Sequence, residues 1–202
     1  MKSVVCTKLG NPELLEIKDM DKPEVSNNQV LIKVDAAGVN YPDALLVQGK
    51  YQVVIEPPFI PGNEVCGYIE EVGKDVNLEI GTKVIGLPEM GGFSEYVSVN
   101  KSLVIPISEK VTSFAGASLP INYGTTYYAL KRRAQASRGE SLLILGGSGG
   151  IGTAAIQLGH IMGLKTIAAV GSDEKEDCVK ELKVDSIIRY DKENLKEKAK
   201  EL

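Results

Sequence analysis

The sequence predicts a mixed α/β protein in two parts. A compact, barrel-like β domain covers residues 1–112, and a doubly wound parallel sheet with helices covers residues 113–202, with only the first half of that sheet present. Three observations carry this. Short apolar runs separated by glycine and proline turns fill the first part, where helical periodicity is scarce. The composition changes at Ser113, beyond which apolar residues recur at helical spacing. After Ser141, strand and helix patterns alternate, the mark of a parallel sheet with right-handed crossovers.

In the β part, Val30–Val34, Cys66–Gly73, Thr82–Gly86 and Ser102–Pro106 read as strands. Phe93–Val99 alternates apolar and polar positions, as a half-buried strand does. Asp43 is expected to open a short helix that ends near Gly49, and Pro57 to Gly62 forms a rigid connector. The stretch from Ser113 through Leu130 reads as helix, with Ser113 as its cap and Pro120 as a kink or break. Lys131, Arg132 and Arg133 fall at its C-terminal end, where cations favour the helix dipole; a phosphate patch is the competing reading. This helical stretch is the expected bridge between the two parts.

Next comes Ser141–Gly152. Leu142–Leu145 run without a polar break, which suits a strand buried on both faces. Gly147, Gly149 and Gly152 then give G-x-G-x-x-G, with Ser148, Gly150 and Ile151 completing the loop. Such a loop needs its first glycine for a backbone conformation closed to other residues, its second to leave room for a pyrophosphate, and its third for close packing of helix on strand. Ile151, Ala155, Leu158 and Met162 recur at helical spacing, and Gly163 marks an end. The helix start therefore aims free N–H groups and a partial positive charge at the turn, where a diphosphate fits. An ordinary strand-to-helix turn is the competing reading; the strand before and helix after supply the context that a dinucleotide site requires.

Further strands at Lys165–Val170 and Ser186–Tyr190, with helices over Asp173–Lys183 and Asn194–Leu202, complete the pattern. A full dinucleotide fold commonly has about six strands, so the three here imply a fragment, a truncated product, or a sheet completed by a partner. The third strand is expected to leave a long hydrophobic edge open.

Bulk composition excludes several classes. With 202 residues, 43% hydrophobic and 25% charged, the chain is that of a globular protein with room for a core. A net charge of -4 with scattered basic residues gives no footprint for nucleic acid. No apolar run suits a bilayer, and Met1–Val5 leads into a strand pattern instead of a signal-peptide core, so no membrane partner and a cytoplasmic location are expected. Cys6, Cys66 and Cys178 lack C-x-x-C spacing and read as buried, reduced thiols. The lone histidine, His160, reads as a surface or packing residue.

The order of parts and five segments give a resemblance that spans essentially the whole chain. The segments are Ala37-Gly38-Val39-Asn40-Tyr41-Pro42-Asp43, Gly49-Lys50-Tyr51, Pro61-Gly62-Asn63-Glu64-Val65-Cys66-Gly67, Gly124-Thr125-Thr126-Tyr127-Tyr128-Ala129-Leu130 and the glycine turn. On these the chain resembles the zinc-independent quinone oxidoreductases of the medium-chain dehydrogenase/reductase superfamily. The resemblance implies a GroES-like β domain that carries the substrate site, followed by a Rossmann-type NADP-binding domain. Zinc-dependent relatives have a cysteine and a histidine where this chain has Asn40 and Asn63. An asparagine amide is a poor zinc ligand, so no metal is expected.

In such enzymes NADPH gives a hydride to a quinone or an α,β-unsaturated carbonyl, and the protein orients it and neutralises charge developing on oxygen. The resemblance implies that Asn40 and Tyr51 line the substrate cleft and hydrogen-bond the acceptor oxygen, with Tyr51 a candidate proton donor; a packed surface tyrosine is the alternative. Thr126 is implied beside the nicotinamide carboxamide, the alternative being a helix threonine that satisfies a local carbonyl. Ser172 and Lys175 match positions that contact a 2′-phosphate, and Tyr190 matches one near the adenosine phosphate. Asp173 lies close by and would serve NAD instead. A homodimer through the edge of the nucleotide sheet is also implied. The same features fit an enoyl-thioester reductase, or a dinucleotide-binding short form without turnover. Because the portion implied to be missing would include loops over the nicotinamide, the isolated chain is expected to show weak or no NADPH oxidation.

Overall fold

A computed structural model describes all residues from Met1 to Leu202. They divide into two compact units, Met1–Pro120 and Ile121–Leu202.

The first unit opens with an antiparallel ribbon of β1 (Lys2–Val5) and β2 (Glu16–Asp19). Five more strands follow: β3 (Gln29–Ala37), β4 (Val65–Val72), β5 (Lys83–Gly86), β6 (Tyr96–Asn100) and β7 (Val104–Pro106). They form one antiparallel sheet in the order β6-β3-β4-β5-β7. Val97 and Val99 of β6 are buried, with Tyr96, Ser98 and Asn100 half-buried between them, as period-two alternation demands. Val30, Ile32, Val65, Ile69, Val84, Val97 and Val99 make the core. Two register shifts between β3 and β4, at Leu31/Ile32 and Val34/Ala36, bend the sheet. Lys83 is buried, and its ammonium donates to the Val111 carbonyl at 2.8 Å, which offsets the loss of water.

Two helices belong to this unit, α1 (Tyr41–Val47) and α2 (Ser113–Leu119). The first starts two residues before Asp43: Asn40 is the cap, and Asp43, at the third helical position, accepts the Asn40 backbone N–H at 2.8 Å. The cap of α2 is Thr112, whose Oγ1 accepts the Ala115 N–H at 3.2 Å. Ser113, expected in that role, donates its hydroxyl to Asp35 instead.

Two π-helical turns, Pro120–Gly124 and Tyr128–Arg133, lie on either side of α3 (Thr125–Tyr127). Pro120 does not break the backbone: its φ of -63 and ψ of -51 are helical, and the wider π turn accommodates the ring that an α turn rejects. Beyond it lie β8 (Ser141–Leu145), α4 (Gly150–Met162), β9 (Lys165–Val170), α5 (Asp173–Glu181), β10 (Ser186–Arg189) and α6 (Leu195–Glu201). The three strands are parallel in the order β10-β9-β8.

The run Leu142–Leu145 is not buried on both faces. Ile144 packs with Ala155, Ile156, Ala168, Val170 and Val179 under α4 and α5. The opposite cluster, Ile167, Ala169 and Ile188 with Leu195 and Ala199, reaches β9 and β10 only. Leu143 and Leu145 are therefore 41% and 66% exposed. The third strand, β10, is an edge of this sheet as expected, with β8 at the other edge; Ile188 and Arg189 on β10 are buried, and the open apolar residues are on β8. Cys6 and Cys66 are buried and Cys178 is exposed, so the expectation for the thiols holds for two of three. No helix is long and apolar enough to cross a membrane.

The junction of β8 and α4 has no space for a side chain at Gly152, where a Cβ would lie 2.4 Å from the Gly146 carbonyl oxygen and 2.6 Å from Gly147. Gly152→Ala should cost about 1–3 kcal/mol in urea unfolding through overpacking. Ile161→Ala, at a position 81% exposed on the same helix, should stay within ~0.5 kcal/mol.

Candidate functional site

The glycine turn is built by backbone contacts. The N–H groups of Gly146 and Gly147 both donate to the Ala169 carbonyl, and Gly149 N–H closes the turn on the Gly146 carbonyl at 3.0 Å. The glycine with a left-handed backbone is Gly146, φ +67, not Gly147 as expected. Gly147 is required for a different reason: a Cβ there would lie 2.7 Å from the Ala168 methyl, so its bareness lets the turn lie on β9. The outer side of the turn is open, since a Cβ on Gly146 meets nothing and one on Gly149 meets only the Gly146 oxygen at 3.4 Å.

Gly149 caps α4 with an extended backbone and no side chain, so the N–H groups of Gly150, Ile151 and Gly152 carry the positive end of a helix spanning Gly150–Met162. Ile151 is 46% exposed and Ser148 half-buried. Asn122 stands beside Gly150, where a Cβ would meet its side-chain oxygen at 2.5 Å. A diphosphate fits this bare, amide-rich surface.

The ends of β9 and β10 bring together Ser172, Lys175 and Tyr190. Ser172 caps α5, its Oγ accepting the Lys175 backbone N–H at 3.3 Å. The Tyr190 ring, 48% exposed, lies over Gly171, where a Cβ would come within 2.5 Å of it. Asp173, the acid that would suit NAD, is ion-paired through one oxygen: Lys192 donates to its Oδ1 at 2.8 Å and Arg189 at 2.5 Å, and its side chain is 81% exposed. These two cations hold its pKa down to about 2. Arg189 is itself buried and also binds Glu176 and, through two nitrogens, Asp191.

Thr126 is buried, and its hydroxyl donates to the Asn122 carbonyl at 2.7 Å, the local bond that competes with a ligand contact. His160 takes part in a hydrogen bond with Thr166 Oγ1 at 3.1 Å.

In the first unit a cavity of about 290 Å³ is walled by Pro42, Leu46, Val53, Ile55 and Met90, with Asp43, Tyr51, Asn63 and Glu89 as its polar members. Tyr51 lies in this wall; Asn40 does not line it, and its Nδ2 donates to the buried Glu64 carboxylate at 2.8 Å. Asp43 and Asn63 were not anticipated as cavity residues. The Asn40–Asp43 spacing, a helix cap with an acid three residues on, was the readable signal for Asp43; nothing local marked Asn63. The Asp43 carboxyl is pushed above the usual range by burial, against hydrogen bonds from the Asn40 and Gly62 N–H groups. Burial likewise raises the Cys66 and Cys6 thiols, so neither is an activated nucleophile. No group of three or more His, Cys, Asp or Glu side chains is arranged to hold a metal ion.

Residues 26–109 match the alcohol dehydrogenase GroES-like domain. Over 198 residues the chain is 35% identical to quinone oxidoreductase-like protein 2 of Bos taurus, covering 97% of this chain and 56% of that protein. The crystal structures of the quinone oxidoreductase from Thermus thermophilus and its complex with NADPH superpose with a TM-score of 0.84 at 36% identity, over 94% of this chain and 60% of that one. Over nearly its whole length the chain is similar to quinone oxidoreductases, and its first part matches the GroES-like domain. Among solved structures, CurK enoyl reductase also matches, with a TM-score of 0.85 at 26% identity over 93% of this chain and 59% of that one. The chain spans under two thirds of the length of these relatives.

The raised pKa of Asp43 has a defined sign. Because the folded protein holds this proton to higher pH than the unfolded chain does, the contribution of Asp43 to stability declines as pH rises from the unfolded pKa through the folded one. Carbon NMR of the side-chain carboxyls should show Asp43 titrating above its ordinary value of 3.8, whereas Asp173 titrates near 2.

Proposed function

We propose that the protein belongs to an NADPH-dependent oxidoreductase that transfers a hydride to a quinone or an α,β-unsaturated carbonyl without zinc. The observation that carries this reading is the glycine turn before α4, whose cap Gly149 has no side chain and whose outer side at Gly146 and Gly149 is open, with Asn122 as the neighbour of Gly150. Bound there, NADPH supplies the hydride.

The protein's own residues then have separable tasks. The amides of Gly150, Ile151 and Gly152 hold the diphosphate, with Gly147, Ser148 and Gly149 giving it access. Lys175 and the Ser172 hydroxyl take the 2′-phosphate, a dianion suited to an ammonium and a donor, and Tyr190 covers the adenosine side. The two cations on Asp173 Oδ1 offset a charge that would oppose a 2′-phosphate, which supports NADP over NAD. In the cavity, apolar walls receive the acceptor molecule and the Tyr51 hydroxyl bonds or protonates its oxygen. Asn40, tied to Glu64, holds the start of α1 and with it the Pro42–Asp43 wall. Asparagines at both expected zinc-ligand positions support hydride transfer without a Lewis-acid metal.

The match to an enoyl reductase favours a second reading, reduction of an enoyl thioester. In a chain extended to the full length of its relatives, steady-state NADPH oxidation with a quinone and with crotonyl-CoA separates the two, and the quinone is expected to be faster. For the cofactor, Lys175→Ala should weaken NADPH binding roughly 10-fold, by loss of one charge-assisted contact, and leave NADH binding unchanged. Equal loss for both nucleotides, or loss for neither, contradicts the assignment.

A further inference from the structure

One buried cation in the second unit has no task in the proposed reaction. Arg189 ends β10 with its side chain only 9% exposed, and its guanidinium is shared among three carboxylates. Nε and one terminal nitrogen donate to the two oxygens of Asp191 at 2.9 and 2.8 Å; the other terminal nitrogen donates to Asp173 at 2.5 Å and to Glu176. Each of these acids is the chain neighbour of a residue proposed to hold the adenosine side of the cofactor. Asp173 follows Ser172, Glu176 follows Lys175, and Asp191 follows Tyr190. The first two acids lie in the opening turn of α5 and the third just past the end of β10. A single side chain therefore ties together the two segments that carry Ser172, Lys175 and Tyr190.

We infer that Arg189 is a positioning residue for the 2′-phosphate site, and that it sets the preference for NADPH over NADH without touching the nucleotide. This rests on the reading of Ser172, Lys175 and Tyr190 as that site. Two effects act together. The first is geometric: the planar fork reaches in directions that one ammonium cannot, so it fixes the start of α5 against the end of β10. Tyr190 is held from both sides, since the bidentate pair joins its two chain neighbours while its own N–H donates to the Val170 carbonyl at 3.2 Å. The second effect is charge. A dianion bound by Ser172 and Lys175 meets the field of Asp173, Glu176 and Asp191, and Arg189 offsets that field from the protein side. Lys192 and Lys180 also reach Asp173 and Glu176, each at 2.8 Å, but their side chains are 59% and 54% exposed and water screens them. A ribose diol carries no charge, so NADH gains little from either effect.

The test is calorimetric titration of the 202-residue chain with NADPH and with NADH. Arg189→Met keeps an apolar stem and removes both charge and fork; it should weaken NADPH binding roughly 10-fold and change NADH binding by less than about 2-fold. Arg189→Lys keeps the charge and loses the fork, so NADPH should weaken by about 3-fold, again with NADH unchanged. Backbone amide NMR shows whether each variant retains β8, β9 and α4; if Arg189→Met does not fold, Arg189→Lys decides by the same criterion. Equal weakening of both nucleotides overturns the proposal, because Arg189 then only stabilises the fold. Unchanged NADPH affinity in a folded Arg189→Met overturns it too. Lys175→Ala separates the proposal from the reading beneath it. A selective loss of NADPH in Lys175→Ala, beside none in the Arg189 variants, ends the positioning role alone. No selective loss in any variant, or a folded wild type that binds neither nucleotide, removes the 2′-phosphate site as well.

Discussion

The second unit depends on the closeness of one backbone contact, that of Gly152 in the first turn of α4 with the carbonyl of Gly146. It fixes where the helix begins, and with it which N–H groups remain free at its end. Gly147 on Ala168 sets the same turn against β9, so the turn, the first two strands and the helix have a single permitted spacing. A phosphate-binding surface made of main chain requires this rigidity, because backbone amides cannot be steered by side-chain rotamers.

A comparable constraint shapes the first unit. The Asp43 carboxyl accepts N–H groups from Asn40 and from Gly62, which joins the start of α1 to the connector leading into β4. Glu64 draws the Asn40 side chain to that same connector. Tyr51 and Asn63 reach one cavity wall because these bonds hold the segments that carry them. The cavity is thus shaped in part by buried carboxylates in structural roles.

Most of the fold was readable because its signals are local. Period-two alternation marked β6, and glycine at the end of a periodic run marked the close of α4. What escaped depends on the rest of the molecule. The apolar run Leu142–Leu145 suggested burial on both faces, but α6 spans only β9 and β10, and no sequence window contains that fact. The helix through Pro120 continues because π turns admit the ring, a choice the proline itself does not announce. The glycine turn was recognised by spacing, yet its left-handed residue is one position earlier, since what the spacing encodes is contact with β9 and α4 more than conformation. At the site, Tyr51 was found from a resemblance and Asp43 was visible only as a helix start. Asn63 looked like the absence of a zinc ligand, and its unbonded oxygen belongs to three-dimensional surroundings alone.

The central claim is that main-chain N–H groups at the start of α4 hold the diphosphate of a dinucleotide. Backbone amide NMR shifts during NADPH titration test it most directly. The account predicts that the largest saturable changes fall on Gly149, Gly150, Ile151 and Gly152, with smaller ones at Ser172, Lys175 and Tyr190. Saturable binding that leaves the Gly149–Gly152 amides unmoved, or no binding by a folded chain, would contradict it.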